Sequence, residues 1–391
     1  MIIEILRDNP VIPLFLTLGC GFWLGSLRYK AFSLGVVPAT LLAGVIIGQL
    51  DIVIPPIVKS LFFILFLFSI GYSVGPQFFH AFKGNGFRQV LFAAVEALIC
   101  VGTVVAFSKL MGYGTGESLG LFAGSQTASA SLGLITDTVA GLDIAAPEKE
   151  HIQKMVPACY AVTYVFGAIG SAWFLSLAGP RLLGGLDKVK AEAKALEHTA
   201  LPKPEPEKKA SSDTTDMIFI GFGVALGCFI GAISFNLKTI PISLSTTGGA
   251  LLMGIVLGWW RNRHPRFGYI PPQVVWFLDN IGLNLFIAII GLTAGPSFIP
   301  AIREVGVMLV AIGAVATILP LAICIFIGRK IFRFSTPETL GCVAGARCGV
   351  AAIGAIQDTL DSTVPMVGYT VCYASANFIL VFSSLIVLFT I

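Results

Sequence analysis

The sequence predicts an all-α polytopic membrane protein with two inverted repeats of five transmembrane helices, each repeat holding a broken or re-entrant segment. Three observations carry that expectation: a composition too apolar for water, twelve apolar stretches divided by one polar segment, and residue motifs that recur in order along both halves. Hydrophobic residues make up 56% of the 391 and charged residues 12%, with a mean hydropathy of +0.88. A soluble domain carries roughly 25% charged residues, so the chain cannot present an ordinary aqueous surface. That argues against a cytoplasmic enzyme, a nucleic-acid binder and a disordered scaffold. The net charge of +4 is too mild for a polyanion partner. High Gly 43 and Phe 30 fit closely packed membrane helices.

A membrane helix needs about 20 mostly apolar residues. Six stretches precede residue 180, at 10–27, 34–50, 57–82, 88–111, 117–140 and 155–178. The first lacks a basic leader and a small-residue cleavage site and reads as a span rather than a signal peptide. Six more follow, at 216–235, 242–260, 274–300, 305–328, 338–360 and 365–390. The expected domains are therefore 1–183, a first membrane repeat; 184–215, a polar cytoplasmic linker; and 216–391, a second membrane repeat. The linker, with Pro202, Pro204 and Pro206 among Lys and Glu, reads as a solvated tether, although Lys188 to His198 has helical composition.

The repeat rests on matched residues. Gly71-Tyr-Ser-Val-Gly75-Pro76-Gln-Phe78 aligns with Gly291-Leu-Thr-Ala-Gly295-Pro296-Ser-Phe298, and Glu117, Gly120 and Gly124 with Glu338, Gly341 and Gly345. Asp137 aligns with Asp358, Gly44 and Gly48 with Gly254 and Gly258, and Tyr160 and Tyr164 with Tyr369 and Tyr373. The Gly-x-x-x-Gly pairs read as seams of close helix packing, and Pro76 and Pro296 as kinks. The fifth stretches, GLFAGSQTASASLGLITD at 120–137 and GCVAGARCGVAAIGAIQD at 341–358, are small, polar and interrupted by glycine. Irregular backbone at membrane depth is tolerated only where protein or a water-filled cavity surrounds it. Each is therefore read as broken or re-entrant, leaving five crossings per half and hence opposite orientations. With the linker inside, five crossings put 17 Lys and Arg inside against 7 outside, and six put 16 against 8, a weak preference for five.

Polar residues inside such segments are costly and mark function by default. Arg347, in Gly345-Ala-Arg347-Cys-Gly349, offers a planar fork for a substrate carboxylate; the competing reading is an internal salt bridge to Asp358, Asp361 or Glu96. Ser125, Gln126, Thr127 and Ser129 in the matching stretch, with Gln357 and Asp358 beside Arg347, complete the candidate substrate site. The Ser/Thr/Gln tract serves equally to stabilise freed backbone. Asp137 and Asp358 are candidates for ion or proton coupling, or for capping the following half-helix. Glu96 is a proton carrier or a partner to Arg347. A charge on one break and none on the other suits a zwitterionic or carboxylated ligand. The eight cysteines read as packing residues, and no metal-ligand cluster, phosphate loop or nucleophile–base pair is present, so neither metal nor cofactor is expected.

Gly-Tyr-Ser-Val-Gly-Pro-Gln-Phe-Phe at 71–79, Gly354-Ala-Ile-Gln-Asp-Thr and Val364-Pro-Met-Val-Gly-Tyr-Thr-Val resemble the aspartate:alanine exchanger family of bacterial secondary transporters, over residues 10–180 and 216–391. The resemblance implies two copies of a membrane module joined through the cytoplasm, exchange of aspartate for alanine, and dicarboxylate transport among relatives. Members of that family carry soluble regulatory domains in the central connection, which here is a short polar segment, natural or engineered.

The resulting expectation is a secondary active antiporter of the bacterial inner membrane for small carboxylates or acidic amino acids, not an enzyme, working by alternating access at a midplane site. The expected partners are that substrate, the lipid bilayer and a second copy of the chain, with no nucleic acid. The alternatives are a cation/proton exchanger through Asp137 and Asp358, an intramembrane enzyme using Asp358 and Asp361, and a passive channel.

Overall fold

The computed structural model describes residues 2–29, 32–33, 35–81, 86–200, 215–237, 240–243, 245–264 and 267–391. Among the described residues, the regular structure is helical except for two short antiparallel hairpins, β1 (Arg28–Tyr29) with β2 (Phe32–Ser33) and β3 (Ser234–Leu237) with β4 (Ile240–Ser243). Among the described residues, six helices are long and apolar enough to cross a membrane: Pro56–Pro76, Gly86–Met111, Ala146–Leu182, Pro272–Pro296, Met308–Lys330 and Pro365–Thr390. Other segments expected to span are shorter helices, Val11–Ser26, Val36–Gly48 and Met217–Ala232, because each is stopped by the hairpin or turn that joins it to its neighbour.

In chain order the helices are α1 (Ile2–Asp8), α2 (Val11–Ser26), α3 (Val36–Gly48), α4 (Pro56–Ala81), α5 (Gly86–Met111), α6 (Thr115–Ser125), α7 (Ser129–Gly141), α8 (Ala146–Leu182), α9 (Leu186–Ala200), α10 (Met217–Ala232), α11 (Ser245–Arg263), α12 (Pro272–Val305), α13 (Met308–Lys330), α14 (Thr336–Ala346), α15 (Val350–Leu360) and α16 (Pro365–Thr390). Pro76 and Pro296 lie within continuous helices.

The residues divide into two compact units that do not follow the sequence halves: Met1–Pro76, Gly133–Ala161 and Lys208–Glu304 form one, and Gln77–Leu132, Val162–Glu207 and Val305–Ile391 the other. Each half of the chain contributes to both.

In the first unit, glycine seams cross from one half to the other. Gly44 and Gly48 of α3 meet α12 at Gly291 and Leu292, where a Cβ on Gly48 would lie 2.3 Å from the Leu292 carbonyl oxygen. Gly71 and Gly75 of α4 meet α11 at Leu251 and Ile255, and a Cβ on Gly75 would lie 2.3 Å from the Ile255 carbonyl oxygen. Each motif thus packs on the helix that matches its neighbour in the other half. Backbones this close leave room for no side chain, which is why small residues recur at such spacing. Asp216 caps α10 through Phe219 N–H at 2.9 Å and holds Gly268 N–H at 3.0 Å.

In the second unit, α16 packs against α14 and α5, and α13 against α6 and the middle of α8. Two π-helical turns, Phe166–Gly170 and Phe174–Ala178, interrupt α8. The core includes Phe92, Leu175, Leu321, Cys324, Leu340, Val343 and Cys372. The segment expected as a tether differs in its first part, which forms the helix α9. Its Val189 and Ala193 are buried, and Glu192 Oε1 accepts from Thr336 N–H at 3.1 Å at the start of α14. The helical composition of Lys188 to His198 is borne out, and the apolar positions 186, 189, 193 and 196 fall on one face at helical spacing. Residues 201–214 of that segment lie outside the described residues.

Candidate functional site

The two breaks have the same backbone construction. Helix α6 ends at Ser125 with Gln126 as its C-cap and Thr127 at φ 52°; α14 ends at Ala346 with Arg347 as its C-cap and Cys348 at φ 56°. Thr127 N–H bonds to Gly124 O at 3.0 Å and Ala128 N–H to Ala123 O at 2.9 Å; Cys348 N–H bonds to Gly345 O and Gly349 N–H to Ala344 O, both at 2.9 Å. This is the Schellman pattern of helix termination, in which a left-handed residue turns the chain and satisfies the last carbonyls. Glycine is the usual left-handed residue, and an L side chain there costs about 1–2 kcal/mol.

Both breaks belong to the second unit, and the structure joins them. Arg347 is 1% exposed. Its Nη1 donates to the Thr317 carbonyl at 2.7 Å and its Nη2 to the Ser125 carbonyl, the last residue of α6. In return the Thr127 hydroxyl donates to the Arg347 carbonyl at 2.8 Å. A cation against the carbonyl end of a helix meets the negative pole of its dipole. Gln126, which matches Arg347 in the repeat, donates its amide to Ser125 Oγ at 3.1 Å and to the Ala316 carbonyl at 3.4 Å, and accepts from the Cys100 thiol at 3.1 Å. Ser129 hydrogen-bonds Tyr164.

Glu96 lies on α5 in the same unit, with no exposure. Both carboxylate oxygens lack a hydrogen-bond partner, as does Nε of Arg347. Glu96 forms no direct ion pair with Arg347. Asp358 and Asp361 form no ion pair with Arg347 either; both are exposed at the end of α15, with Asp361 its left-handed C-cap at φ 50°. Gln357 is half-buried on that helix, well over two turns beyond the break.

Asp137 falls in the first unit. It accepts from the Thr247 hydroxyl at 2.9 Å and feels Lys59. It lies inside α7 and Asp358 in the last turn of α15, so neither occupies a helix N-cap. The structure thus brings together Arg347, Ser125, Gln126, Thr127 and Ser129, with Glu96 beside them, and leaves Asp137, Gln357 and Asp358 elsewhere.

Sequence reasoning missed Thr317, whose carbonyl holds the guanidinium and whose hydroxyl donates to Gly313 O at 2.8 Å. Its signal was a hydroxyl three residues before Pro320 in an otherwise apolar run. It also passed over Asp279, inside the 274–300 stretch, which keeps one buried carboxylate oxygen without a hydrogen bond.

Six helices long and apolar enough to cross a membrane, with a buried cation where two helix breaks meet, mark a multi-pass membrane protein. Residues 13–179 and 219–389 match the family model described as Predicted Permease Membrane Region. The chain is similar to an uncharacterized transporter of Shewanella oneidensis, 30% identical over 98% of each chain. It is also similar to an uncharacterized transporter of Zymomonas mobilis, 24% identical over 96% of each. A further relative is the aspartate/alanine antiporter of Tetragenococcus halophilus, 24% identical over 91% of this chain and 93% of that one. The chain belongs to the aspartate:alanine exchanger family of bacterial secondary transporters.

Proposed function

We propose that the protein is an antiporter of the bacterial inner membrane that exchanges small carboxylates or acidic amino acids, such as aspartate and alanine or dicarboxylates, at the junction of its two helix breaks. The observation that carries this reading is Arg347: among the described residues it is the only fully buried basic side chain, and it sits where both breaks meet. An anion entering the junction meets a guanidinium already desolvated and aligned, so little reorganisation accompanies binding. Ser125, Gln126, Thr127 and Ser129 supply neutral donors and acceptors around it, with Gln357 and Asp358 further along the second broken segment.

The transport cycle in this reading is alternating access in an inverted five-crossing repeat, with residues 1–183 and 216–391 as the two copies and 184–215 as their cytoplasmic connection. The relative named as an aspartate/alanine antiporter supports exchange as the mode. Purified protein in liposomes tests it: labelled aspartate, alanine and succinate are offered outside, with each as counter-substrate inside. Uptake that requires a counter-substrate is expected, and its loss in Arg347→Gln. No uptake under any pairing sinks the substrate assignment. The alternative, a cation/proton exchanger through Asp137 and Asp358, has a structured neighbourhood only at Asp137; sodium- or pH-driven flux without organic substrate would favour it.

A further inference from the structure

Helices α10 and α11 pack side by side in the first unit. The end of the pair where α10 begins and α11 stops is built of aromatic and basic side chains. Phe219 stacks on Trp260 at 6.0 Å between ring centroids, and Trp260 on His264 at 4.8 Å. The guanidinium of Arg263 lies 4.4 Å from the centre of the Trp259 ring, and that of Arg261 5.4 Å from the centre of the Tyr269 ring. Contact with a ring attracts a cation but satisfies none of its N–H donors through an oxygen. Nε of Arg261 is buried and has no hydrogen-bond acceptor, and a buried donor left unpaired calls for a ligand to explain it. Neither arginine forms an ion pair among the described residues. Asp216, the acid at this end of the pair, is committed to the backbone: its Oδ1 accepts from Phe219 N–H and its Oδ2 from Gly268 N–H.

From this end an apolar face runs along α10. Ile218, Phe222, Leu226 and Phe229 recur at helical spacing and are exposed, opposite the buried Gly223, Gly227 and Gly231. In a chain with six membrane-scale helices such a face meets lipid tails, and Trp and Arg at a helix end sit at the level of the headgroups. We propose that this end of the α10–α11 pair binds an anionic phospholipid. Its phosphate goes to Arg261, whose Nε–H lacks an acceptor, Arg263 adds a second positive charge, and its acyl chains lie along the exposed face of α10. Charge selects the lipid over the other occupant of an apolar membrane face, a second copy of this chain. Two copies in one bilayer orientation would bring the same cations together at the same depth, and like charges across an interface oppose association. The proposal does not depend on what the protein exchanges.

Native mass spectrometry of the purified full chain tests it, with phosphatidylglycerol and phosphatidylcholine of the same acyl chains titrated in detergent. The two lipids differ only in the headgroup, one anionic and one zwitterionic. Wild type is expected to hold one phosphatidylglycerol at least ~10-fold more tightly, through a charge-assisted hydrogen bond. Arg261→Gln is expected to abolish most of that preference. Arg263→Gln, at an exposed position, is expected to reduce it about fivefold, the effect of one cation near a headgroup. Should the first variant not fold, the second reads the same preference. Lys330→Gln removes an exposed cation at the end of α13 and controls for diffuse charge; its preference should equal that of wild type. Undiminished preference in the folded arginine variants overturns the proposal, as does an equal loss in Lys330→Gln. Displacement of the lipid by excess glycerol 3-phosphate overturns it in favour of a site for a free phosphate. A dimer that excludes lipid and separates in Phe222→Asp overturns it in favour of a second copy.

Discussion

The breaks after α6 and α14 have nearly the same backbone and opposite electrostatics. Hydrogen bond for hydrogen bond, residues 123–128 repeat at 344–349. At the C-cap one carries the neutral amide of Gln126 and the other the guanidinium of Arg347, and both reach carbonyls of the same turn of α13, Ala316 and Thr317. The two breaks therefore share the geometry of an irregular segment and differ by one charge. The backbone alone makes a polar junction; the charge on one side makes it polar in a direction, which a symmetric ion path does not need and an oriented carboxylate does.

Removing the charge is the most severe way to break that contrast. Arg347→Gln makes both breaks neutral. Exchange is expected to fall at least ~100-fold, since truncating one side of a buried charged contact costs several kcal/mol. The thermal midpoint should fall as well, because the Ser125 and Thr317 carbonyls lose charged donors. Normal counterflow in a folded Arg347→Gln protein would show that the charge is structural only.

A smaller effect is expected at the other end of α14. Helix α6 starts after Gly114 with no side-chain cap, whereas α14 has Ser335 and Glu338 in a capping box and Glu192 accepting from Thr336. Glu192→Ala is expected to destabilise the protein by about 1 kcal/mol, the usual worth of a lost cap, read as a lower unfolding midpoint. An unchanged midpoint would mean that α9 contributes nothing to that terminus.

Sequence reasoning found the breaks because glycine, serine and alanine crowd 120–137 and 341–358, where lipid-facing spans carry leucine and phenylalanine. The glycine seams were legible for a related reason: glycines at backbone contact, such as Gly44 with Gly291, admit no substitute. What the guanidinium does was not legible. Its partners are the backbone carbonyls of Ser125 and Thr317, and a carbonyl leaves no mark on residue identity. The division into units was hidden too, since it cuts the first half at positions such as 132 and 161 that carry no polar boundary. The helical composition of α9 was visible, but its packing was obscured by the charges that surround Val189 and Ala193.

The third test concerns the single side-chain bond that the first break makes to the second. Thr127→Ala removes the hydroxyl that donates to the Arg347 carbonyl while leaving an L residue at φ 52°. The expected loss is about 1 kcal/mol, the net value of a typical hydrogen bond. It should appear as a lower midpoint and a weaker carboxylate affinity together, because the carbonyl belongs to the site residue itself. A midpoint that falls with affinity unchanged would separate the junction from binding.

The finest comparison is the glycine substitution at the two left-handed positions. At Cys348, glycine relieves about 1–2 kcal/mol of left-handed strain. It also loosens the unfolded chain, which returns up to about 1 kcal/mol of that gain. No side-chain hydrogen bond from the Cys348 thiol offsets the relief, so Cys348→Gly is expected to raise the midpoint slightly or leave it unchanged. At Thr127 the same relief is set against the loss of the bond to Arg347, so Thr127→Gly is expected to be neutral or destabilising. Ala352→Gly, in the right-handed first turns of α15, gains no relief and should cost about 0.5–1 kcal/mol. The ordering Cys348→Gly above Thr127→Gly above Ala352→Gly in thermal midpoint is therefore the signature of two matching left-handed residues of which only Thr127 makes a side-chain bond to the other break. If Thr127→Gly stabilises as much as Cys348→Gly, that bond contributes nothing, and the two breaks are equivalent in everything except the charge on Arg347.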